Sequence, residues 1–230
     1  DDAAYLDFEN RFRGGEREIR QRVHSYLPRL REAAPVLDLG CGRGEALALL
    51  QEEGIRCRGI DSSGAMVRRC SQQGLQVEQG ELPGALAGVE PGSLGGIVSF
   101  HVIEHLPPKA VDRLVRLAYT ALRPGGILLL ETPNPLSVAV TAGSFWLDPT
   151  HVRPVHPETL RASYESAGFA RVEQFDLRPY PEEERLPEIP LDGLDGQTRE
   201  LADRLNRLRD ELDDLLYGCR DYALIGTRPG

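Results

Sequence analysis

Val36-Leu37-Asp38-Leu39-Gly40-Cys41-Gly42-Arg43-Gly44-Glu45 is the stretch that decides how this chain folds. A short apolar run, Val36 to Leu39, reads as a buried strand. It ends in a glycine-rich turn, and a helix follows over Gly44 to Glu53 with Ala46, Leu47, Leu49 and Leu50 on its inner side. In a doubly wound sheet such a turn lies at the carboxyl ends of the strands, where ligands bind. Glycine serves there because a residue without Cβ lets the backbone approach a ligand closely.

Working outward, strand and helix alternate, which predicts a parallel sheet covered on both faces. Toward the N-terminus, Glu16 to Ala33 reads as one helix. Toward the C-terminus, the expected strands are Arg56 to Ile60, Leu75 to Gln79, Gly96 to Phe100 and Ile127 to Glu131. The helices between them are Gly64 to Gln73 and Pro108 to Leu122. Val111, Leu114, Val115, Ala118 and Leu122 give the second of these an apolar face, and Pro107-Pro108 starts it. A polar, proline-rich loop spans Thr132 to Pro157, a length that inside a compact domain points to function or disorder. Then come a helix over Glu158 to Ala167, a strand over Phe169 to Leu177 and a connector over Tyr180 to Asp195. Leu201, Leu205, Leu208, Leu212 and Leu215 mark a helix with a narrow leucine seam, and Asp221 to Thr227 is the last strand. The seam can pack on its own domain or pair between two copies as a dimer helix. The fold expected is α/β: a doubly wound, mostly parallel seven-stranded sheet with an N-terminal helical arm and a helical insertion before the last strand. The whole is one domain: arm and helix over 1–33, cofactor core and acceptor loop over 34–177, connector and leucine helix over 178–218, last strand over 219–230.

The totals fit this reading. The chain has 230 residues, 40% apolar and 27% charged, enough for one sizeable core. A net charge of −9 argues against an electrostatic grip on nucleic acid or anionic membrane. The four cysteines, Cys41, Cys57, Cys70 and Cys219, form no zinc-type spacing and read as reduced thiols. No apolar run approaches the roughly 20 residues of a membrane span, and residues 1–13 lack the apolar core of a signal peptide. The expected location is the cytoplasm.

Two cofactor classes use a glycine turn of this kind. Dinucleotide enzymes carry Gly-x-Gly-x-x-Gly with a pyrophosphate at the helix N-terminus. Here the pattern is Gly40-x-Gly42-x-Gly44, and the last dinucleotide glycine is replaced by Glu45, whose carboxylate would repel a pyrophosphate. Asp38 suits a cofactor with a cationic amino group and a sulfonium. Asp61, at the tip of the second strand, suits a ribose diol. Asp38-Leu39-Gly40-Cys41-Gly42-Arg43-Gly44 resembles the first motif of class I S-adenosylmethionine-dependent methyltransferases. Arg123-Pro124-Gly125-Gly126 matches their helix-to-strand turn, and Asp221 to Thr227 their antiparallel seventh strand. The resemblance implies that Asp38, Gly40 and Gly42 line the methionine end of S-adenosylmethionine and that Asp61 holds its ribose. It sets Gly80-Glu81 near the adenine amino group, where relatives usually carry Asp, and His101 near the sulfonium. Met66 would pack on the adenine, and Arg11 or Arg13 would fold over the cofactor to meet its carboxylate. The plainer alternatives are a surface strand end for Asp61, ordinary core for Met66 and a solvated arm for the two arginines.

Three further stretches narrow the resemblance: Phe8-Glu9-Asn10-Arg11-Phe12-Arg13-Gly14-Gly15, then Glu131-Thr132-Pro133-Asn134-Pro135, then residues 145–157, from Phe145-Trp146-Leu147 through His151 to His156-Pro157. Together they resemble methyltransferase modules of bacterial polysaccharide biosynthesis, such as those that cap O-antigen chains. That implies a glycan, phosphorylated glycan or related small molecule as acceptor. Asn134 and Trp146 would contact it, Trp146 by stacking on a sugar face, and Arg153 would grip a phosphate or carboxylate. His151 or His156 would take the proton from a hydroxyl. The alternative is that these imidazoles only brace the loop. No metal is expected, since Asp148, His151 and His156 match no ligand spacing. Glu104 and His105 are read as capping or orienting the turn before a helix. Two other functions stay open: methylation of a secondary metabolite or peptide carboxylate, and a non-catalytic cofactor-binding scaffold.

Overall fold

The structure, a computed structural model, describes residues 16–230. The helices are α1 (Glu16–His24), α2 (Leu27–Glu32), α3 (Glu45–Glu52), α4 (Gly64–Gln72), α5 (Pro108–Ala121), α6 (Val138–Ala142), α7 (Pro157–Ala167) and α8 (Gly196–Leu216). The strands are β1 (Val36–Leu39), β2 (Cys57–Asp61), β3 (Val77–Gln79), β4 (Leu94–Phe100), β5 (Leu122–Pro133), β6 (Ala170–Leu177) and β7 (Asp221–Thr227). They form one sheet in the order β3-β2-β1-β4-β5-β7-β6, with β7 antiparallel to both of its neighbours and the other pairings parallel. This is the doubly wound seven-stranded sheet expected.

Strand alternation sorts the core into two layers. Leu37, Leu39, Ile97, Leu128, Leu130 and Leu224 pack on one side, against Val111, Leu114, Val115 and Ala118 of α5 and Leu160 and Tyr164 of α7. Val36, Val98, Leu129 and Ile225 pack on the other, against α1, α2 and the Ala46, Leu49 and Leu50 face of α3. Leu114 is fully buried, so its truncation to Ala would cost about 2–5 kcal/mol. The chain order reverses between β1 and β4. That opens a crevice at the carboxyl ends of these strands, the place such sheets reserve for ligands.

Several elements differ from the sequence reading. The first helix is two: Pro28 sits in the first turn of α2, and the chain bends at Ser25-Tyr26. β5 starts at Leu122, its register against β4 interrupted between Leu94 and Gly96 opposite the Arg123-Pro124-Gly125-Gly126 turn. The long loop after it is partly ordered, holding α6 and a 3₁₀ turn over Ser144–Leu147.

The leucine seam does not pack on its own domain. Leu201, Leu205, Leu208, Leu212 and Leu215 are 42–59% exposed. α8 is held instead through its polar side. Asn206 accepts from Ile189 N–H and donates to Ile189 C=O, both at 2.9 Å. Asp213 accepts from Leu186 N–H and pairs with Arg185 at 2.8 Å. These side chains satisfy the backbone of the connector, so their face turns inward and the leucines turn out.

Candidate active site

The glycine turn after β1 is built as its sequence demands. Gly40, Gly42 and Gly44 have φ of 70°, 54° and 84°, the left-handed region that favours glycine. A Cβ on Gly40 would lie 2.5 Å from Val102 Cγ2, so the turn also needs the space. Asp61 ties this turn to β2: its Oδ2 accepts from Gly42 N–H at 2.8 Å and its Oδ1 from Ser63 N–H at 2.9 Å.

A cavity of about 780 Å³ opens beside the turn, near the top of the ~300–1,000 Å³ usual for ligand pockets. Gly40, Gly42, Asp61, Met66, Gly80, Glu81 and His101 all line it. Asp38 is buried on the other side of Gly40, beside a small cavity shared with Arg22, Glu45 and His101. Glu45 is not a bare charge, because Arg43 pairs with it at 2.6 Å. The pairing screens the repulsion on which the case against a dinucleotide leaned. Arg11 and Arg13 lie outside the described residues.

The far half of the cavity is lined by His105, Phe145, Asp148, Thr150, His151, Tyr180, Arg178 and Arg220. Of the loop residues read as acceptor contacts, only His151 reaches it. His156 is exposed and accepts from Glu158 N–H at 3.2 Å through Nδ1, which makes it the N-cap of α7. Asn134 is buried away from the cavity, donating to Cys219 C=O and accepting from Leu136 N–H, both at 3.0 Å. Arg153 is exposed outside the lining, and Trp146, 57% exposed, stacks edge-on against Phe145.

Between the two halves stands a charged cluster that the sequence reading did not assemble. His101 has φ 56°, strained for a residue with a Cβ. Its Nε2 is 2.8 Å from Arg22 Nη1, 3.5 Å from Glu131 and 3.7 Å from Asp221, and its Nδ1 is 3.3 Å from Glu104. Arg22 also donates to Glu131 at 3.1 Å, Tyr26 donates to Glu131 at 2.8 Å, and Arg178 pairs with Asp221 at 2.8 Å. Burial alone would push the His101 imidazole down. Asp221, Glu104 and Glu131 outweigh it and raise the group to about 9. Burial likewise opposes ionisation of Glu104 and Glu131, but His101, and Arg22 at Glu131, hold both carboxyls below their usual range. Three carboxylates against two guanidiniums leave one negative charge, which a proton on His101 cancels. Arg22 at 2.8 Å needs the Nε2 lone pair, so protonation of the ring requires Arg22 to give way. Charged residues near the tips of apolar strands, Glu131 two residues before the end of β5 and Asp221 opening β7, were the signal available in the sequence.

A glycine turn at the switch point, a carboxylate at the tip of β2 and a second polar chamber beside them define a nucleotide-cofactor site with room for a second reactant. The comparisons identify the family. Residues 9–174 match the family described as methyltransferase domain, and the chain belongs to it. The crystal structure of an S-adenosylmethionine-dependent methyltransferase from Archaeoglobus fulgidus superposes with a TM-score of 0.91 at 32% identity, covering 97% of this chain and 99% of that one. A trans-aconitate 2-methyltransferase of Azoarcus sp. is 38% identical over 138 residues, 58% of this chain and 51% of that protein. A ubiquinone biosynthesis O-methyltransferase of Cupriavidus pinatubonensis is 33% identical over 104 residues, 43% of this chain and 41% of that protein. The chain thus spans about half the length, or less, of these curated relatives. Its cofactor is S-adenosylmethionine. Among the described residues no helix is long and apolar enough to cross a membrane.

Proposed function

We propose that the chain moves the methyl group of S-adenosylmethionine to an oxygen of a small acidic acceptor, a phosphorylated glycan being the acidic form among those the sequence resemblance implies. The observation that carries this is the pair Arg178 and Arg220, which line the same cavity as the cofactor residues. Arg178 leans on Asp221, and Arg220 on Glu184 at 2.7 Å and on the Tyr180 ring. Both guanidiniums are partly exposed, so an acceptor anion can join them at low desolvation cost. Arg178 has φ 56°, the same strain as His101, and strain of this kind gathers at ligand sites. The reaction needs the acceptor oxygen in line with the donor carbon, and fixing that geometry supplies on the order of 7–11 kcal/mol. His151 stands on the acceptor side with Nδ1 hydrogen-bonded to Phe145 C=O at 2.6 Å, which leaves Nε2 to receive a hydroxyl proton. A carboxylate acceptor, as the name of the trans-aconitate relative suggests, needs no such base.

The test is transfer of labelled methyl to matched acidic and neutral acceptors. Acidic ones are expected to react faster, and Arg178→Met to raise their KM at least tenfold with little change for neutral ones. Equal rates with both classes, in the native protein and the variant alike, would remove the acidic acceptor.

We propose further that the exposed leucine face of α8 meets a second copy of itself, antiparallel. Leucines at alternating four- and three-residue steps over 201–215 suit such a seam. With Leu201 opposite Leu212 and Leu205 opposite Leu208, Arg204 faces Glu211 of the second copy, and symmetry repeats the pair. A parallel pairing would set Arg204 against Arg209 instead. Charge therefore selects the antiparallel arrangement.

A further inference from the structure

We propose that Glu104, His105 and His151 form a divalent-cation site on the acceptor side of the cavity. One ligand atom from each lies within 4.8 Å of the others. Two imidazoles and a carboxylate are the donor set of open transition-metal sites. The hydrogen bonds around them leave the right atoms available. Thr150 Oγ1 donates to Asp148 at 2.6 Å, so at 2.9 Å it can only accept from His105 Nδ1–H. His151 Nδ1 must carry its proton too, because its partner at 2.6 Å is the Phe145 carbonyl. Both rings therefore keep their lone pair on Nε2. A metal-bound histidine is nearly always oriented in this way, by an outer partner for its other nitrogen. The carboxylate is placed just as firmly. Glu104 is fully buried, its Oε2 accepting from Thr132 at 3.0 Å, while Oε1 lies 3.3 Å from His101 Nδ1, outside hydrogen-bond geometry, and shares its charge between that imidazole and the site. Its backbone carbonyl takes Val152 N–H at 2.9 Å, which draws the loop carrying His151 onto it.

A second group of possible ligands, His101, Glu131 and Asp221, lacks these features. Arg22 and Arg178 already occupy its carboxylates. No guanidinium bonds to the Glu104 side chain or to either imidazole of the first group among the interactions of the described residues. His105 and His151 line the cofactor cavity, so a cation held there would face the acceptor and draw its oxygen in. It would also take the Nε2 lone pair assigned above to proton acceptance, and it would lower the pKa of a bound hydroxyl in compensation.

The test is calorimetric titration of the untagged, EDTA-treated 230-residue chain with Co²⁺ alone, beside a parallel titration with S-adenosylhomocysteine. One Co²⁺ per chain is expected. His151→Ala should abolish binding and Thr150→Val, which removes the outer partner of His105, should weaken it about 10- to 100-fold. His156→Asn, which preserves the cap on α7, should bind as the native chain does. S-adenosylhomocysteine affinity reports that each variant is folded. Absence of saturable Co²⁺ binding by the native chain, or unchanged binding by both His151→Ala and Thr150→Val, overturns the site. If S-adenosylhomocysteine still binds in that case, the methyl-transfer reading stands with His151 as base.

Discussion

Asp61 braces the glycine turn and keeps room for a second partner. Both of its oxygens already accept backbone N–H groups, one of them from the glycine turn itself. Each carboxylate oxygen has a second lone pair, so the ribose hydroxyls can share the same group. Asp61→Asn removes the charge and one acceptor while nearly preserving volume. Hydrogen bonds to charged groups contribute about 1.5–3 kcal/mol each, so S-adenosylhomocysteine affinity should fall at least tenfold by calorimetry, with a smaller loss of thermal stability. Unchanged affinity would reduce Asp61 to a brace for the turn. Arg22 is the structural counterpart. Its side chain is 14% exposed, and its guanidinium meets the fully buried Glu131 carboxylate. Removing one partner of a buried pair costs about 3–5 kcal/mol. In a chain of this size each kcal/mol shifts the midpoint by about 2–4 °C. Arg22→Ala should therefore lower Tm on the order of 10 °C, and a scan showing under 2 °C would mean that the His101 proton replaces it fully. Asp61 was legible because it follows an apolar strand at a known remove from a glycine turn. Arg22 was not, since nothing within a helix tells which of its arginines faces inward.

At the scale of elements, periodicity was legible and orientation was left open. The leucine spacing of α8 marked a helix whose seam could face its own domain or a second copy, and in the structure the leucines turn outward. Asn206 and Asp213 hold the connector backbone, and unpaired backbone groups are costly enough to decide which side is buried. For His156 the structure favours the alternative that the imidazole braces its loop: a histidine just before a proline-started helix is positioned to cap it, and the structure uses it so. The exposed seam carries its own prediction. Leu208→Glu should leave Tm nearly unchanged, within about 0.5 kcal/mol, because the side chain is already in water. By sedimentation it should convert dimer to monomer. Arg204→Glu should also weaken the dimer, and Arg204→Glu with Glu211→Arg should restore it, since only the antiparallel register pairs these positions. A native chain that sediments as a monomer at high concentration removes the dimer altogether.

At the scale of the whole molecule, the cofactor half of the cavity was legible and the acceptor half was not, and topology explains the difference. Gly40, Gly42, Asp61, Met66, Gly80 and Glu81 come from a run of about forty residues in consecutive β-α units. Local sequence therefore carries their placement. The other half gathers Arg178 from after β6, Arg220 and Asp221 from the start of β7, and His105 and His151 from two loops. It exists only because β7 inserts antiparallel between β5 and β6, so that its first residue, opposite Pro133, returns to the mouth of the crevice. This division predicts how ligands act on stability. Of the residues expected at the cofactor, Asp38, Gly40, Gly42 and Asp61 belong to β1, β2 and the turn after β1, inside the sheet rather than at its edge. Binding to the folded state alone stabilises by about 2.7 kcal/mol at a hundred times Kd. S-adenosylhomocysteine at that excess should raise Tm by about 5–10 °C, while NAD at the same concentration should leave it unmoved. A rise with NAD alone would return the glycine turn to the dinucleotide class, because Arg43 already neutralises the one carboxylate that spoke against a pyrophosphate.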